Sequence, residues 1–406
     1  MLVLAAAIGI ETVVPVLVHA ETTFIPSATV SGRYDTNVWF TPQEFLPPGT
    51  RLDDFATSVG GYGQLLYRER DIEASLTGGV DYNAFVYNPG LNFITTRLDG
   101  KAKLDGWIQR LVKRAQLRVA ESFRYTPETP AFLTGVKAGV VEDPFLRGIQ
   151  QFRANTFANV TSVNASLPLF RDLWLDGRYA FALTRFGSVL AAGATGASFF
   201  DTTMHTWSAG PRYRLTRQDN FSVLYQQSMV TQTRSSDTGA PDLDFTTHSL
   251  SASYDRDMED WTAGVTGGVT VIDPPRQGYP TGTIRLSTNP ERVTAVRLDL
   301  SRKASPSLFF VAGALISNVG TLAVSHKLSR LLSLQGTVAY GYNETVPDRT
   351  VKFTSITANA GVNYKLTKTV SVDLYYSYND FKTEQPGSTI AVLRNVVGFS
   401  LTAEWK

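Results

Sequence analysis

Ionisable side chains in this chain recur at every second position. Around residue 100 one parity carries Ile94, Leu98, Ala102 and Leu104, and the other carries Arg97, Asp99, Lys101, Lys103 and Asp105. A period of two places such residues on one face of an extended strand, with the hydrocarbon on the other. Arg114, Arg118 and Arg124 follow on the next segment, and Arg178, Arg212, Arg214, Arg297 and Asp299 repeat the arrangement further on. Charges spaced like this build a wetted wall. Two readings of that wall stay open. Either the groups pair across neighbouring strands and hold the wall in shape, or the basic excess on the fourth and fifth strands draws in an anionic solute or polymer.

Convergent chemistry of the catalytic kind is not expected. The chain has 4 His and no Cys, so thiolate nucleophiles, thiolate metal sites and disulfide frameworks are excluded. His19 falls in the leading segment, while His205, His248 and His326 fall on the apolar parity and not beside a polar nucleophile. No phosphate-binding glycine loop, zinc spacing or calcium loop is present. No enzyme, cofactor or metal is therefore expected. A formal net charge of +2 gives no field of the kind that binds nucleic acid.

The elements that must position the charges are strands. From residue 27 onward amphipathic segments alternate with connections that are in turn short and long, and counting them gives about 18. The first is expected over 29–38 and the second over 54–67. Short turns are expected near 68–71, 109–113, 170–173, 217–220, 257–260, 289–292, 329–332 and 366–369. Long connections are expected near 39–50, 126–150, 188–197, 235–242, 273–280, 305–317, 345–353 and 383–389. In lipid an unpaired sheet edge has no water to satisfy it, so such a sheet must close. The fold expected is all-β: a transmembrane antiparallel β-barrel with its short turns and both termini periplasmic, placed in a bacterial outer membrane. Of the long loops, 39–50, 126–150 and 305–317 can constrict or cap the pore. The second is the longest, and it either folds inward as a gate or stays at the surface.

Both ends of the chain carry signals. Residues 2–18 form an apolar run, interrupted by Glu11, that ends in Val18-His19-Ala20, which suits an export signal over 1–20, with the barrel over 21–406. At the other end Val397, Phe399, Leu401, Ala403 and Trp405 alternate with Gly398, Ser400, Thr402 and Glu404. A glycine, alternating hydrophobics and a near-terminal aromatic (Gly398, Phe399, Leu401, Ala403, Trp405) resemble the signal by which outer-membrane barrels are passed to their insertion machinery. Aromatics at strand ends, among them Tyr67, Tyr82, Tyr125, Trp261, Tyr364 and Trp405, suit interfacial girdles.

The first strand carries Ser31-Gly32-Arg33-Tyr34-Asp35-Thr36-Asn37-Val38. This segment resembles the opening of a β-barrel porin family encoded in exopolysaccharide and capsule loci. The resemblance implies an outer-membrane pore that exports a secreted polysaccharide together with a periplasmic polysaccharide-export protein. The alternative is a general diffusion porin for small hydrophilic solutes, and a third class is a structural or adhesive barrel with a plugged lumen.

Overall fold

Alternation sets the architecture. The computed structural model describes residues 21–127, 153–189, 199–234, 243–289, 291–307 and 313–405. The expected export signal and most of the longest loop lie outside the described residues. In chain order the strands are β1 (Glu21–Asp35), β2 (Asp54–Arg68), β3 (Glu73–Phe85), β4 (Phe93–Lys103), β5 (Gln116–Thr126) and β6 (Ala154–Pro168). They continue as β7 (Leu173–Val189), β8 (Phe200–Arg214), β9 (Asp219–Arg234), β10 (Leu243–Asp257), β11 (Trp261–Asp273) and β12 (Gln277–Thr288). The last six are β13 (Thr294–Pro306), β14 (Ala314–Lys327), β15 (Leu332–Val346), β16 (Lys352–Lys365), β17 (Val370–Gln385) and β18 (Ser388–Glu404). A short helix, α1 (Asp105–Gln109), lies between β4 and β5.

These form a single 18-stranded antiparallel sheet in which each strand pairs with its sequence neighbours and β18 returns to β1. Closure leaves no edge, as a lipid-embedded sheet requires. The start of β1 and the end of β18 meet at the short-turn rim: Glu21 stands opposite Arg68, and the Trp405 amide donates to the Pro26 carbonyl at 3.0 Å.

The register fixes which face each residue takes. Val30, Val59, Tyr82 and Ile94 follow one another across β1–β4 and are all exposed, as are Leu322, Val338, Leu374 and Phe399 further round. This outward set is a continuous hydrocarbon belt, and it includes Val397, Phe399, Leu401 and the exposed Trp405 of the C-terminal strand. Tyr67, Trp261 and Tyr364 sit near the short-turn rim, whereas Tyr82 and Tyr125 sit toward the other end, as two aromatic girdles require.

Several boundaries differ from the sequence reading. β1 starts at Glu21 and ends at Asp35, so 36–38 belong to the following loop. Two connections expected to be long are tight: β11 and β12 are joined by 274–276, and β17 and β18 by 386–387, where Gly387 takes φ +81°. Gly and Pro residues that read as loop, such as Gly278 and Pro280, pair within β12. Pro280 lies beyond the β12–β13 ladder, which begins at Gly282, so on that side no partner strand needs its missing amide.

Candidate functional site

The lumen is the candidate site, and its long-loop end is occupied by the chain itself. The connection 36–53 turns into the barrel. Its Val38 and Trp39 pack on Ala56, Phe85, Leu91 and Phe93, while Phe40 packs on Phe381 and Val392. Further along, Phe45, Leu46 and Leu52 join Ala154, Phe186, Phe199, Leu315, Val351 and Phe353. Those partners come from opposite walls, so the loop bridges the mouth. Apolar burial drives this seating, since Val38, Phe40 and Leu46 would otherwise face water.

Polar groups direct the loop's entry. Asp35, buried at the end of β1, receives the Arg394 guanidinium of β18 through Nε at 2.9 and 3.1 Å and through Nη2 at 2.5 Å. Asp35 also accepts the Asn37 amide at 3.0 Å, and the Asn37 side chain donates to the Thr41 carbonyl at 3.0 Å. Arg394 lies over the Phe40 ring at 4.4 Å, and the buried Arg153 donates to the Val38 carbonyl at 3.1 Å. The segment Gly32–Val38 thus turns the chain inward. Its other residues serve the wall: Tyr34 faces outward and donates to Asp53, while a Cβ at Gly32 would press on the Phe399 ring at 2.8 Å.

A second inward contact comes from the connection between β13 and β14. Gln232 of β9, fully buried, donates to the Ser307 carbonyl and accepts the Gly313 amide, both at 2.6 Å. One side chain thereby holds both ends of that connection from four strands away. Around it, Met204, Val230, Phe245, Ile272 and Tyr279 make an apolar inner wall that packs on Ala314 and Ile316. Of the three loops expected to constrict or cap the pore, the first bridges the mouth and the third is held at its two ends. The second lies outside the described residues.

Below the loops the inner wall is charged. β4 and β5 bring Arg97 directly opposite Arg124, and Lys103 directly opposite Arg118. Opposed side chains in a sheet have Cβ atoms about 5 Å apart, and like charges placed so destabilise the pair. Some relief comes from neighbours. Lys103 donates to Glu73 at 2.9 Å, and Arg97 lies 3.5 Å from Asp99 and over the Tyr62 ring at 5.3 Å. Tyr62 in turn donates to Asp81, and Ser122 donates to Asp99 at 2.8 Å. Among the described residues, Lys101, Arg118 and Arg178 have no ion-pair partner.

Register carries the basic set onward. Arg118 faces Asn164, Asn164 faces Arg178, Arg178 faces Ser208 and Ser208 faces Gln226. Because barrel strands tilt by roughly 40°, this rung slants up the inner wall from the short-turn rim toward the mouth. Elsewhere the charges are matched: Arg212 meets Asp176 at 2.7 Å, and Arg285 and Arg297 share Asp299 at 3.2 and 2.5 Å.

The structure thus places Arg97, Lys101, Lys103, Arg118, Arg124, Arg178, Arg212, Arg297 and Asp299 on the inward parity. Arg214 ends β8 at the rim. Two expected wall residues are elsewhere. Asp105 opens α1 and accepts the Leu117 amide at 2.9 Å, and Arg114 lies in the same connection, over the Trp174 ring and donating to the Arg171 carbonyl. The cause is that the backbone leaves the sheet after Lys103, so parity stops reporting direction. Arg285, Tyr62, Gln232 and Arg153 were passed over; for Arg285 the flanking Thr283 and Ser287 on the same parity were a usable signal. His205, His248 and His326 lie on the outward set, with Nδ1 bonded to Tyr179, Tyr225 and Thr294 respectively. Among the described residues no group of His, Asp and Glu is arranged to hold a metal.

One family model agrees with this architecture. Residues 282–404, less than half of the chain, match the family model described as "Putative beta-barrel porin 2". This is an outer-membrane barrel. No curated protein matches. Among solved structures, OccK2 (OpdF) of Pseudomonas aeruginosa in complex with glucuronate is similar at 10% identity and TM-score 0.46, over 95% of this chain and 99% of that one. OccAB3 of Acinetobacter baumannii is similar at 12% identity and TM-score 0.44, over 94% of this chain and 99% of that one. The outer membrane protein opdK of Pseudomonas aeruginosa follows at 11% identity and TM-score 0.43, over 94% and 99%.

Proposed function

We propose that the chain is a diffusion porin for small hydrophilic solutes, with a preference for anions. The observation that carries this reading is the pair of like-charge oppositions, Arg97 with Arg124 and Lys103 with Arg118, on the lumen face of one hairpin. Glu73 stands opposite Lys103 on the β3 side and Asp99 lies beside Arg97, yet the bases of this hairpin outnumber those acids. A ligand carboxylate or phosphate supplies the missing charge in passing, through the charge-assisted and bidentate bonds that arginine favours. In this reading residues 1–20 are the export signal, the C-terminal strand is delivered to the insertion machinery, and the short-turn rim and both termini are periplasmic. Transport is passive, and no chemistry is required of the wall.

The test is reversal potential in a planar bilayer under a potassium chloride gradient. Native protein should favour chloride, and Arg97→Ser with Arg118→Ser should lose most of that preference while still conducting. Unchanged selectivity would remove the anion reading and leave a general pore.

Export of a polysaccharide with a periplasmic partner is the second reading, and the Gly32–Val38 segment is what favours it. Against it, that segment seats a loop across the mouth, which suits small solutes better than a hydrated polymer. A clean deletion decides between them: loss of surface polysaccharide with retained periplasmic material supports export, and normal polymer leaves the porin.

A further inference from the structure

The outer belt has two flaws of opposite sign. On β5 the outward set reads Leu117, Val119, Glu121, Phe123 and Tyr125, so a carboxylate stands in hydrocarbon with apolar neighbours on both sides. Its direction is fixed by Gly100, which lies opposite and would place a Cβ 3.9 Å from that of Glu121 and 3.6 Å from the exposed Leu76. Asn159 and Thr161, outward on β6, donate to its two oxygens. On β13 the outward set reads Leu298, Leu300, Arg302 and Ala304. Arg302 donates through Nε to the Pro280 carbonyl at 3.0 Å and through Nη1 to Asn318 at 2.8 Å, leaving Nη2 without a partner among the described residues. Beside it the wall is flattened by Gly282 and Gly267.

Other outward acids and bases are differently placed. Arg185 with Asp201, Arg256 with Asp219, and Glu344 with Arg349 are paired, and Asp380 adjoins Lys382 near the long-loop rim. Glu121 and Arg302 alone among the described carboxylates and guanidiniums combine apolar outward neighbours on both sides with no ionic partner. A charge facing lipid is costly at that depth, so each calls for a counter-charge from outside its own barrel.

We propose that these two patches bind each other between copies of this chain, the β5–β6 face of one barrel lying against the β13–β14 face of the next. Charge complementarity selects a second copy as the occupant: a carboxylate already held by two donors meets a guanidinium with a free edge, in a medium that excludes water. The patches are eight strands apart in a barrel of 18, or about 160° around its axis. Two different patches make a heterologous contact, and at that angle it does not close into a small ring. Copies would instead form rows in the plane of the membrane. The inference is independent of what passes through the lumen.

Cysteine cross-linking tests it, because the chain has no Cys of its own. Val163→Cys beside the first patch and Leu300→Cys beside the second, combined in one chain and oxidised in intact outer membranes, should give a ladder extending beyond the dimer. Each single-cysteine variant should stay monomeric. Adding Glu121→Arg should abolish the ladder, and adding Arg302→Glu to that chain should restore it. Heat-modifiable migration on gels verifies that each variant has folded, and Glu121→Gln serves in the same role if the reversal fails that check. No ladder, a dimer only, or a ladder indifferent to the charge changes would overturn the proposal. The first of these would leave lipid or a different protein against the two patches.

Discussion

Two strand pairs of this barrel use the same residue types to opposite ends. At the seam between β18 and β1, Arg394 and Asp35 are wholly buried, bidentate and matched in charge. On the β4–β5 hairpin, Arg97 faces Arg124 and Lys103 faces Arg118 toward open lumen. The first arrangement spends charge on position, because a buried pair is tolerable only when each group is satisfied by the other. The second keeps a basic excess where a solute can reach it. A guanidinium on an inner wall is therefore informative only together with its cross-strand neighbour.

The seam offers the largest test. Arg394→Ala would strand the Asp35 carboxylate in a dry site and remove the guanidinium from the Phe40 ring. Breaking one partner of such a pair costs about 3–5 kcal/mol. Unfolding in urea should show that loss, and single-channel conductance should rise as the 36–53 loop leaves the mouth. Stability lost with conductance unchanged would mean that the seam holds the strands but not the loop.

Gln232 makes a neutral version of the same contrast, a buried polar group satisfied from both ends of another connection. Gln232→Leu removes its bonds to the Ser307 carbonyl and the Gly313 amide. A loss of about 1–3 kcal/mol follows from removing one partner of buried hydrogen bonds. Noisier current, with frequent partial openings, is the expected functional sign. A quiet trace would show that this connection stays in place without its tether.

The basic hairpin should respond in the other direction. Arg118→Ser removes one member of an opposed like-charge pair, and relief of that repulsion is worth roughly 0.2–1 kcal/mol in stability. Anion preference should fall in the same variant. A residue whose removal steadies the fold while weakening selectivity is held there by function. If stability falls instead, the residue is part of the scaffold and the contrast with the seam fails.

Most of the barrel was legible in sequence because a sheet facing lipid on one side and water on the other must alternate. Strand number, the outward set of β18 and the inward parity from Arg97 to Lys103 follow from that single constraint. What parity cannot report is where a strand stops. Asp105 keeps the parity of Lys103 yet begins a helical turn, and Arg114 lies in the same irregular stretch. Nor does alternation show that apolar loop residues such as Val38, Phe40 and Leu46 find their partners inside the mouth, since those partners come from strands remote in sequence. Glu121 was visible as an acid on an apolar parity, and its meaning needed the register with Asn159 and Thr161.

The smallest effect belongs to the exposed pair at the far end of the 36–53 loop. Arg51 donates to Asp53 at 3.2 and 2.7 Å, and this bond, with a further one from Tyr34, holds the Asp53 carboxyl below its ordinary range. A carboxylate depressed on folding contributes stability above its unfolded value, and that contribution disappears as pH falls through the folded one. Both side chains are wet, so the contribution is slight, as for most surface ion pairs. Arg51→Ala should lower the urea midpoint slightly at about pH 7, and the difference from the native protein should shrink as pH falls through the depressed range of the carboxyl and vanish once it is protonated in both. A difference that persists in acid would assign the role of Arg51 to its packing over the Tyr87 ring, 3.9 Å away, and not to its charge. In that case even this exposed pair would stand nearer to the seam than to the basic hairpin, as a device for placing the loop.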